Sequence, residues 1–266
     1  MTMAALITGG GSGIGRAIAL TLARATIPVI VNDIIQEAGE GTVKEIREAG
    51  GEGLFVRADV SDSSQVKAMF GKIQKKCGKV DILVNNAGIP GPFTPITQIS
   101  DKNWHKTINV HLNGTFFCLR EAAGSMVKGA FGRIINMASI AGLVGTVGSA
   151  EYGAAKAAII NLTKTAAKEL GPHRVTVNAI APGMVATPTN LKLKSKGSRF
   201  IESAIETTPT RRMTAPEEIA ELVLFLSSEA AANINGQVIS IDGAAQISIG
   251  MDRYMQNFFS RQDSEV

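Results

Sequence analysis

Tyr152 and Lys156 lie four residues apart in "AEYGAAKAAI" (150–159), separated only by glycine and alanine. On a helix an i,i+4 pair shares one face, one turn apart. A phenol there can serve as general acid or base if the neighbouring ammonium favours the phenolate. A free phenol titrates near ~10, so work near neutrality needs a downward shift of about 2–3 units, roughly 3–4 kcal/mol. The plainer reading is a solvated helix face, on which such a pair contributes a few tenths of a kcal/mol.

A second group of residues suits a dinucleotide. "TGGGSGIG" (8–15) follows a short apolar run and opens a helical pattern. Its glycines permit a tight turn and close backbone approach, and a helix N-terminus offers free N–H groups to a pyrophosphate. Gly9, Gly13 and Gly15 are spaced G-x-x-x-G-x-G rather than G-x-G-x-x-G. Asp33 ends the next apolar run, where a carboxylate would accept hydrogen bonds from an adenosine ribose diol and repel a 2′-phosphate. Neither Ser12 nor Asn32 is basic, so these residues favour NAD over NADP.

The elements that must position these groups alternate along the chain. Val- and Ile-rich runs at 4–8, 28–33, 53–59, 80–86, 132–139, 174–180 and 237–242 read as strands covered on both faces. Helical patterns lie between them, among others at 13–24, 35–49, 64–77 and 217–227. Such alternation implies an α/β protein with a parallel sheet, right-handed crossovers and helices on both faces. No repeat or linker divides the 266 residues, so one domain is expected, with irregular regions at 188–215 and after Gly243. The mild net charge of +4, with no Lys/Arg stripe interleaved with aromatics, speaks against nucleic acid. No apolar run is long enough to span a membrane, and periodic structure starting by Met3 leaves no room for a signal peptide. Cys77 and Cys118 lack metal-site spacing, and no metal is expected. Cys118 reads as core, which suits a reducing cytoplasm.

These motifs occur in order with "ADV" (58–60), "NNAG" (85–88), "NMAS" (136–139), "YGAAK" (152–156) and "PGMVAT" (182–187). Together they resemble the short-chain dehydrogenase/reductase family over nearly the whole chain, in particular 3-oxoacyl thioester reductases and related alcohol dehydrogenases. The resemblance implies a Rossmann-like, doubly wound sheet of seven parallel strands. It implies that Tyr152 is the acid/base, that Lys156 is its electrostatic partner and ribose anchor, and that Ser139 orients the substrate oxygen. Gly9, Ser12, Gly13, Ile14 and Gly15 would face the cofactor with Asp33, while Asp59 and Val60 would flank the adenine. The backbone at Asn86, Ala87 and Gly88 would support the cofactor, as would Pro182, Gly183 and Val185, and Thr187 would hold the carboxamide.

One position departs from the family. In "INVHLNGTFF" (108–117) the family usually carries asparagine three residues before the glycine, holding a water that links the lysine to solvent, and here His111 stands there. The histidine is either a bystander or a relay, because imidazole can both donate and accept. A histidine near its reference value of about 6.5 would also gain charge in the working range.

The expected activity is NAD(H)-dependent interconversion of a ketone and a secondary alcohol by hydride transfer. A 3-oxoacyl thioester is one substrate class; polyol, cyclic-alcohol and steroid substrates are others. A non-catalytic NAD-binding scaffold or redox sensor is the competing class. Substrate choice should rest on 89–93, the residues after Ser139, and a lid at 188–215. Lys192, Lys194, Lys196 and Arg199, with no acid among them, form either a solvated lid or a steering patch for an anionic substrate. The family commonly forms tetramers through the helices after the fourth and fifth strands. The extension at 244–266, with Met251, Tyr254, Phe258 and Phe259, should pack on its own or a neighbouring subunit or form a disordered end.

Overall fold

Each short strand is apolar on both sides because helices cover both faces of one sheet. The structure is a computed structural model that describes residues 3–91 and 93–248. The strands are β1 (Ala5–Thr8), β2 (Val29–Asp33), β3 (Gly53–Arg57), β4 (Ile82–Asn85), β5 (Gly132–Met137), β6 (Val175–Pro182) and β7 (Val238–Ile241). They pair in parallel in the order β3-β2-β1-β4-β5-β6-β7. The order reverses between β1 and β4, and ligands of such sheets bind at the carboxyl ends beside that reversal.

Alternate residues of β1 point to opposite faces. Ala5 and Ile7 pack with Ile18 and Leu22 of α1 (Gly13–Arg24) and with Ile219 and Val223 of α10 (Pro216–Ser227). Leu6 packs on the other face with Met69 and Ile73 of α3 (Ser63–Cys77), and with Cys118 and Met126 of α5 (Gly114–Gly129). Cys118 is core, as its apolar setting requires, while Cys77 is exposed. The other helices are α2 (Gln36–Glu48), α4 (Asp101–Ile108), α6 (Ala141–Val144), α7 (Ala150–Leu170), α8 (Pro188–Ser195) and α9 (Arg199–Thr207).

Local chemistry sets several ends. Asp62 caps α3 by accepting from the Ser64 and Gln65 amides, and Gly78 stops it at φ +85°. Pro216 starts α10, with the Glu218 carboxylate accepting from the Ala215 amide at 2.7 Å. The segment 188–215, expected to be irregular, instead holds α8 and α9. Thr187 caps α8, Pro188 is pre-set for its first turn, and Gly197 at φ +71° separates the pair. The lysine-rich composition hid this, because α8 buries no residue and so has no apolar stripe. Of the extension, 244–248 are described; Met251, Tyr254, Phe258 and Phe259 lie outside the described residues.

Candidate active site

The glycine turn is built by close approach. A Cβ at Gly15 would run into the Gly9 carbonyl and stand 2.6 Å from Asn86 Nδ2, and Gly9 itself sits at φ +63°. Only glycine has the left-handed region at no steric penalty. Across the sheet reversal, Asn86 Nδ2 donates to the carbonyls of Thr8 and Gly9 at 3.0 and 3.1 Å. Thr8 Oγ1 accepts from the amides of Asn86 and Ala87, each at 3.0 Å. The end of β4 is thereby stapled to the turn. Ser12 gives no side-chain cap to α1, so the first-turn amides of Gly13, Ile14 and Gly15 are not taken by that side chain. That arrangement fits an anionic pyrophosphate.

Asp33 is tied to the same turn. Its Oδ2 accepts from the Gly11 amide at 3.0 Å and its Oδ1 from the Ile35 amide at 2.9 Å. Carboxylate oxygens have further lone pairs for a ribose diol. Asn32 points inward and donates to the carbonyls of Val56 and Ala58, so it holds β3 rather than a ligand. Asp59 Oδ1 is engaged by the Ser61 amide and hydroxyl, while buried Val60 packs against Gly114. Arg57, which the sequence reading passed over, is the register partner of Asp33 and donates from Nε to the Ile34 carbonyl at 3.1 Å.

From the other side, β6 delivers "PGMVAT". The Pro182 carbonyl accepts from the Ile140 amide at 3.1 Å, and Gly183 packs so closely on β7's end that a Cβ would lie 2.9 Å from Asp242 Cβ. Val185 bridges to Thr214, and Thr187 Cγ2 would be 3.4 Å from a Cβ on Gly13. Thr187 and the glycine turn are therefore neighbours across the cleft.

Helix α7 brings the phenol and ammonium. A ladder of buried amides seats it: Asn85 Nδ2 donates to Asn136 Oδ1, and Asn136 Nδ2 to Thr163 Oγ1, each at 2.9 Å. These asparagines could have been found as polar residues inside apolar strands. Gly142 of α6 lies so near α7 that a Cβ would be 2.6 Å from the Lys156 carbonyl carbon. Ser139, just past β5, accepts from the Ala141 amide through Oγ at 3.2 Å and lies near enough to the Tyr152 hydroxyl to oppose the rise of its pKa. Lys156 is buried, donates from Nζ to the Met137 carbonyl at 2.6 Å, and lies 5.5 Å from the Tyr152 ring centre. His111, in a π-helical turn (Asn109–Asn113), meets Tyr152 edge-on with ring centres 5.2 Å apart. Thus Ser139, Tyr152, Lys156 and His111 converge.

Burial raises the Tyr152 phenol in the ligand-free cleft, with Ser139 opposing; the downward shift expected for catalysis belongs to the cleft beside the positive charge of an oxidised nicotinamide. Burial also lowers Lys156, to about 7. One expectation about charge is corrected. His111 does not charge in the working range; burial and the Lys156 charge hold it down to about 3, against the hydrogen bond its Nε2 donates to the Ile89 carbonyl.

The Lys156 shift has a consequence for stability. Unfolded, Lys156 keeps its proton to about 10.5; folded, only to about 7. Between those values the unfolded chain binds more protons, so stability rises with pH and is weakest below 7. From pH 7 to about 9.5 the ligand-free protein should gain roughly 3 kcal/mol relative to Lys156→Met. Thermal melts across that range measure it; parallel curves for the two proteins refute it.

A doubly wound sheet with a glycine turn at its reversal and a Ser–Tyr–Lys group facing it defines a dinucleotide-dependent oxidoreductase. Residues 9–245 match the family described as enoyl-(acyl carrier protein) reductase. The 3-oxoacyl-(acyl-carrier-protein) reductase FabG of Thermotoga maritima is 39% identical over 91% of this chain and 97% of its own length. Levodione reductase has a similar structure, with a TM-score of 0.89, 33% identity and coverage of 93% of this chain and 98% of that one. An actinorhodin polyketide ketoreductase, solved with NADPH, has a TM-score of 0.87 at 33% identity, covering 92% and 97%. The chain belongs to the short-chain dehydrogenase/reductase family.

Among the described residues no helix is long and apolar enough to cross a membrane, and no group of His, Cys, Asp or Glu could hold a metal ion.

Proposed function

We propose that the chain is a cytoplasmic, homotetrameric NAD(H)-dependent enzyme that interconverts a ketone and a secondary alcohol, acting on a 3-oxoacyl or 3-hydroxyacyl thioester. The convergence of Ser139, Tyr152 and Lys156 opposite the glycine turn carries this reading. Tyr152 Oη takes the hydroxyl proton in oxidation and gives it to the carbonyl oxygen in reduction. Ser139 Oγ donates to the same substrate oxygen. Lys156 favours the phenolate and anchors the nicotinamide ribose. The dinucleotide, when bound, supplies or accepts the hydride.

The amides of Gly9, Ser12, Gly13, Ile14 and Gly15 hold the pyrophosphate in this reading, and Asp33 the adenosine ribose. Asp59 and Val60 flank the adenine. The backbone of Asn86, Ala87 and Gly88 supports the inner ribose, and Pro182, Gly183, Val185 and Thr187 the nicotinamide. A second reading, NADP(H), is favoured by Arg57 and by the NADPH in the related ketoreductase structure. NAD(H) is preferred because Asp33 stands on the glycine turn itself, through the Gly11 amide, and Arg57 stands outside it.

The substrate class rests on two surfaces of the cleft mouth. Phe93 and Phe200 meet with ring planes tilted by 52° and ring centres 4.5 Å apart, joining the loop after β4 to α9, and Leu191 and Leu193 are exposed on α8. Around them Lys192, Lys194, Lys196 and Arg199 are exposed. Apolar walls with a cationic rim suit an acyl chain on an anionic carrier. Acetoacetyl-CoA should exceed cyclohexanol, polyols and a hydroxysteroid by at least about tenfold in kcat/KM, and its rate should fall with ionic strength. Neutralising the three lysines should flatten that dependence. Best activity on a neutral alcohol moves the assignment to polyol, cyclic-alcohol or steroid substrates, and absence of any NAD(P)-linked turnover leaves a non-catalytic scaffold.

A further inference from the structure

Helix α8 carries the lysines of the cleft mouth yet buries no residue, so apolar packing does not hold it in place. Polar bonds at its first turn do. Thr187 caps the helix, with Oγ1 accepting from the Asn190 amide at 3.4 Å. The Asn190 side chain reaches back out of the helix. Its Nδ2 donates to the Val185 carbonyl at 2.8 Å and lies 3.5 Å from Met184 Sδ. The Ser195 hydroxyl, by contrast, bonds within α8, to the Lys192 carbonyl. Asparagine is a poor helix former because its amide competes for backbone groups. Here that competition ties the helix to the segment leading into it.

The segment that Asn190 grips is the one that carries Thr187. On one side it pairs with Thr214, whose amide donates to the Met184 carbonyl and whose carbonyl accepts from the Ala186 amide, each at 2.9 Å. On the other, the Val185 carbonyl accepts from the Thr187 amide at 2.8 Å as well as from Asn190 Nδ2. The Thr187 methyl faces the glycine turn, 3.4 Å from where a Cβ on Gly13 would stand. A hydroxyl has one hydrogen and two lone pairs. Thr187 Oγ1 gives a lone pair to the Asn190 amide, and its hydrogen goes to no described residue.

We propose that Asn190 is a positioning residue for the cofactor: pinned to Val185, it holds the Thr187 hydroxyl where the nicotinamide carboxamide is met, and it makes the seating of α8 part of cofactor binding. The proposal rests on the reading of Thr187 given above. Thr187 touches the carboxamide in that reading, and Asn190 acts through Thr187. Coupling of this kind is reciprocal, so the carboxamide steadies α8 by the factor with which a seated α8 strengthens the carboxamide contact.

The test uses the full chain without substrate. Asn190→Ala should weaken NADH binding about fivefold and Thr187→Val about tenfold, read by fluorescence titration. Affinity for ADP-ribose, which lacks the nicotinamide, should stay within about twofold in both, which also shows that the variants are folded. Asn190→Asp keeps the shape but loses both N–H donors, so it should bind NADH no better than the alanine variant. The double variant should be no weaker than about tenfold, because one residue acts through the other. In hydrogen exchange, NADH should slow the amides of residues 191–195 about fivefold in the unmodified protein, and less than about twofold in Asn190→Ala. Equal losses for NADH and ADP-ribose, a double variant weakened about fifty-fold, or α8 protection that survives in Asn190→Ala overturns the proposal. Unaltered NADH affinity in Thr187→Val overturns the reading of Thr187 itself. A weakened Thr187→Val beside a fully binding Asn190→Ala overturns the role of Asn190 alone.

Discussion

Tyr152→Phe lowers kcat for acetoacetyl-CoA reduction by about two to three orders of magnitude, the scale of a positioned acid/base, and leaves NADH affinity within about twofold. The variant removes one hydroxyl and keeps the ring, so the edge-on contact with His111 and the packing beside Lys156 persist. What disappears is the proton donor that meets Ser139. Burial raises this phenol in the ligand-free cleft, so at neutral pH it carries the proton that reduction requires. Stopped-flow measurement of the single turnover separates this loss from product release. A turnover within tenfold of the unmodified protein would remove Tyr152 from the acid/base role.

Asp33→Ala changes the ratio of NAD(H) to NADP(H) efficiency by about 100-fold toward NADP(H). Two effects act in the same direction. The ribose loses a charge-assisted acceptor, worth about 1.5–3 kcal/mol or roughly 10–150-fold. A 2′-phosphate loses a nearby like charge, and Arg57 stays beside the Ile34 carbonyl to meet it. Adding Arg57→Ala should then return part of the NADP(H) gain while leaving NAD(H) efficiency unaltered. The variant also frees the Gly11 and Ile35 amides, so its melting temperature belongs beside the kinetics. Equal use of both cofactors by the unmodified protein would show that Asp33 does not set the preference.

The seven strands and the Tyr152–Lys156 pair were legible because they depend on neighbours in the chain. A strand buried on both faces must be a continuous run of Val, Ile and similar residues, and i,i+4 residues meet on any helix. The order of motifs likewise placed Asp33 and the glycine turn on consecutive elements. Where a polar side chain lies at such a site, however, its partners come from elsewhere in the chain. Asn86 read as a cofactor-supporting residue and Asn32 only as a non-basic neighbour of Asp33, yet Asn32 faces β3 and Asn86 staples β4 to the turn, across 77 and 78 residues of sequence in the case of Asn86. Helix α8 escaped notice because it buries nothing and therefore leaves no periodic pattern, whereas α9, which buries Ile201, carries an apolar face that the sequence analysis did not pick out.

Residue type and spacing thus determined which groups could exchange a proton and where a dinucleotide could lie, since both follow from short-range geometry. Tertiary structure alone decided their electrostatic state. His111 is held neutral, the Tyr152 phenol is raised and Lys156 is lowered because burial strips water from each, and burial is a property of the assembled crossovers rather than of any local stretch. The same packing turned Glu151, by sequence an ordinary acid in the first turn of a helix, into a carboxyl with no hydrogen-bond partner among the described residues, one residue from Tyr152.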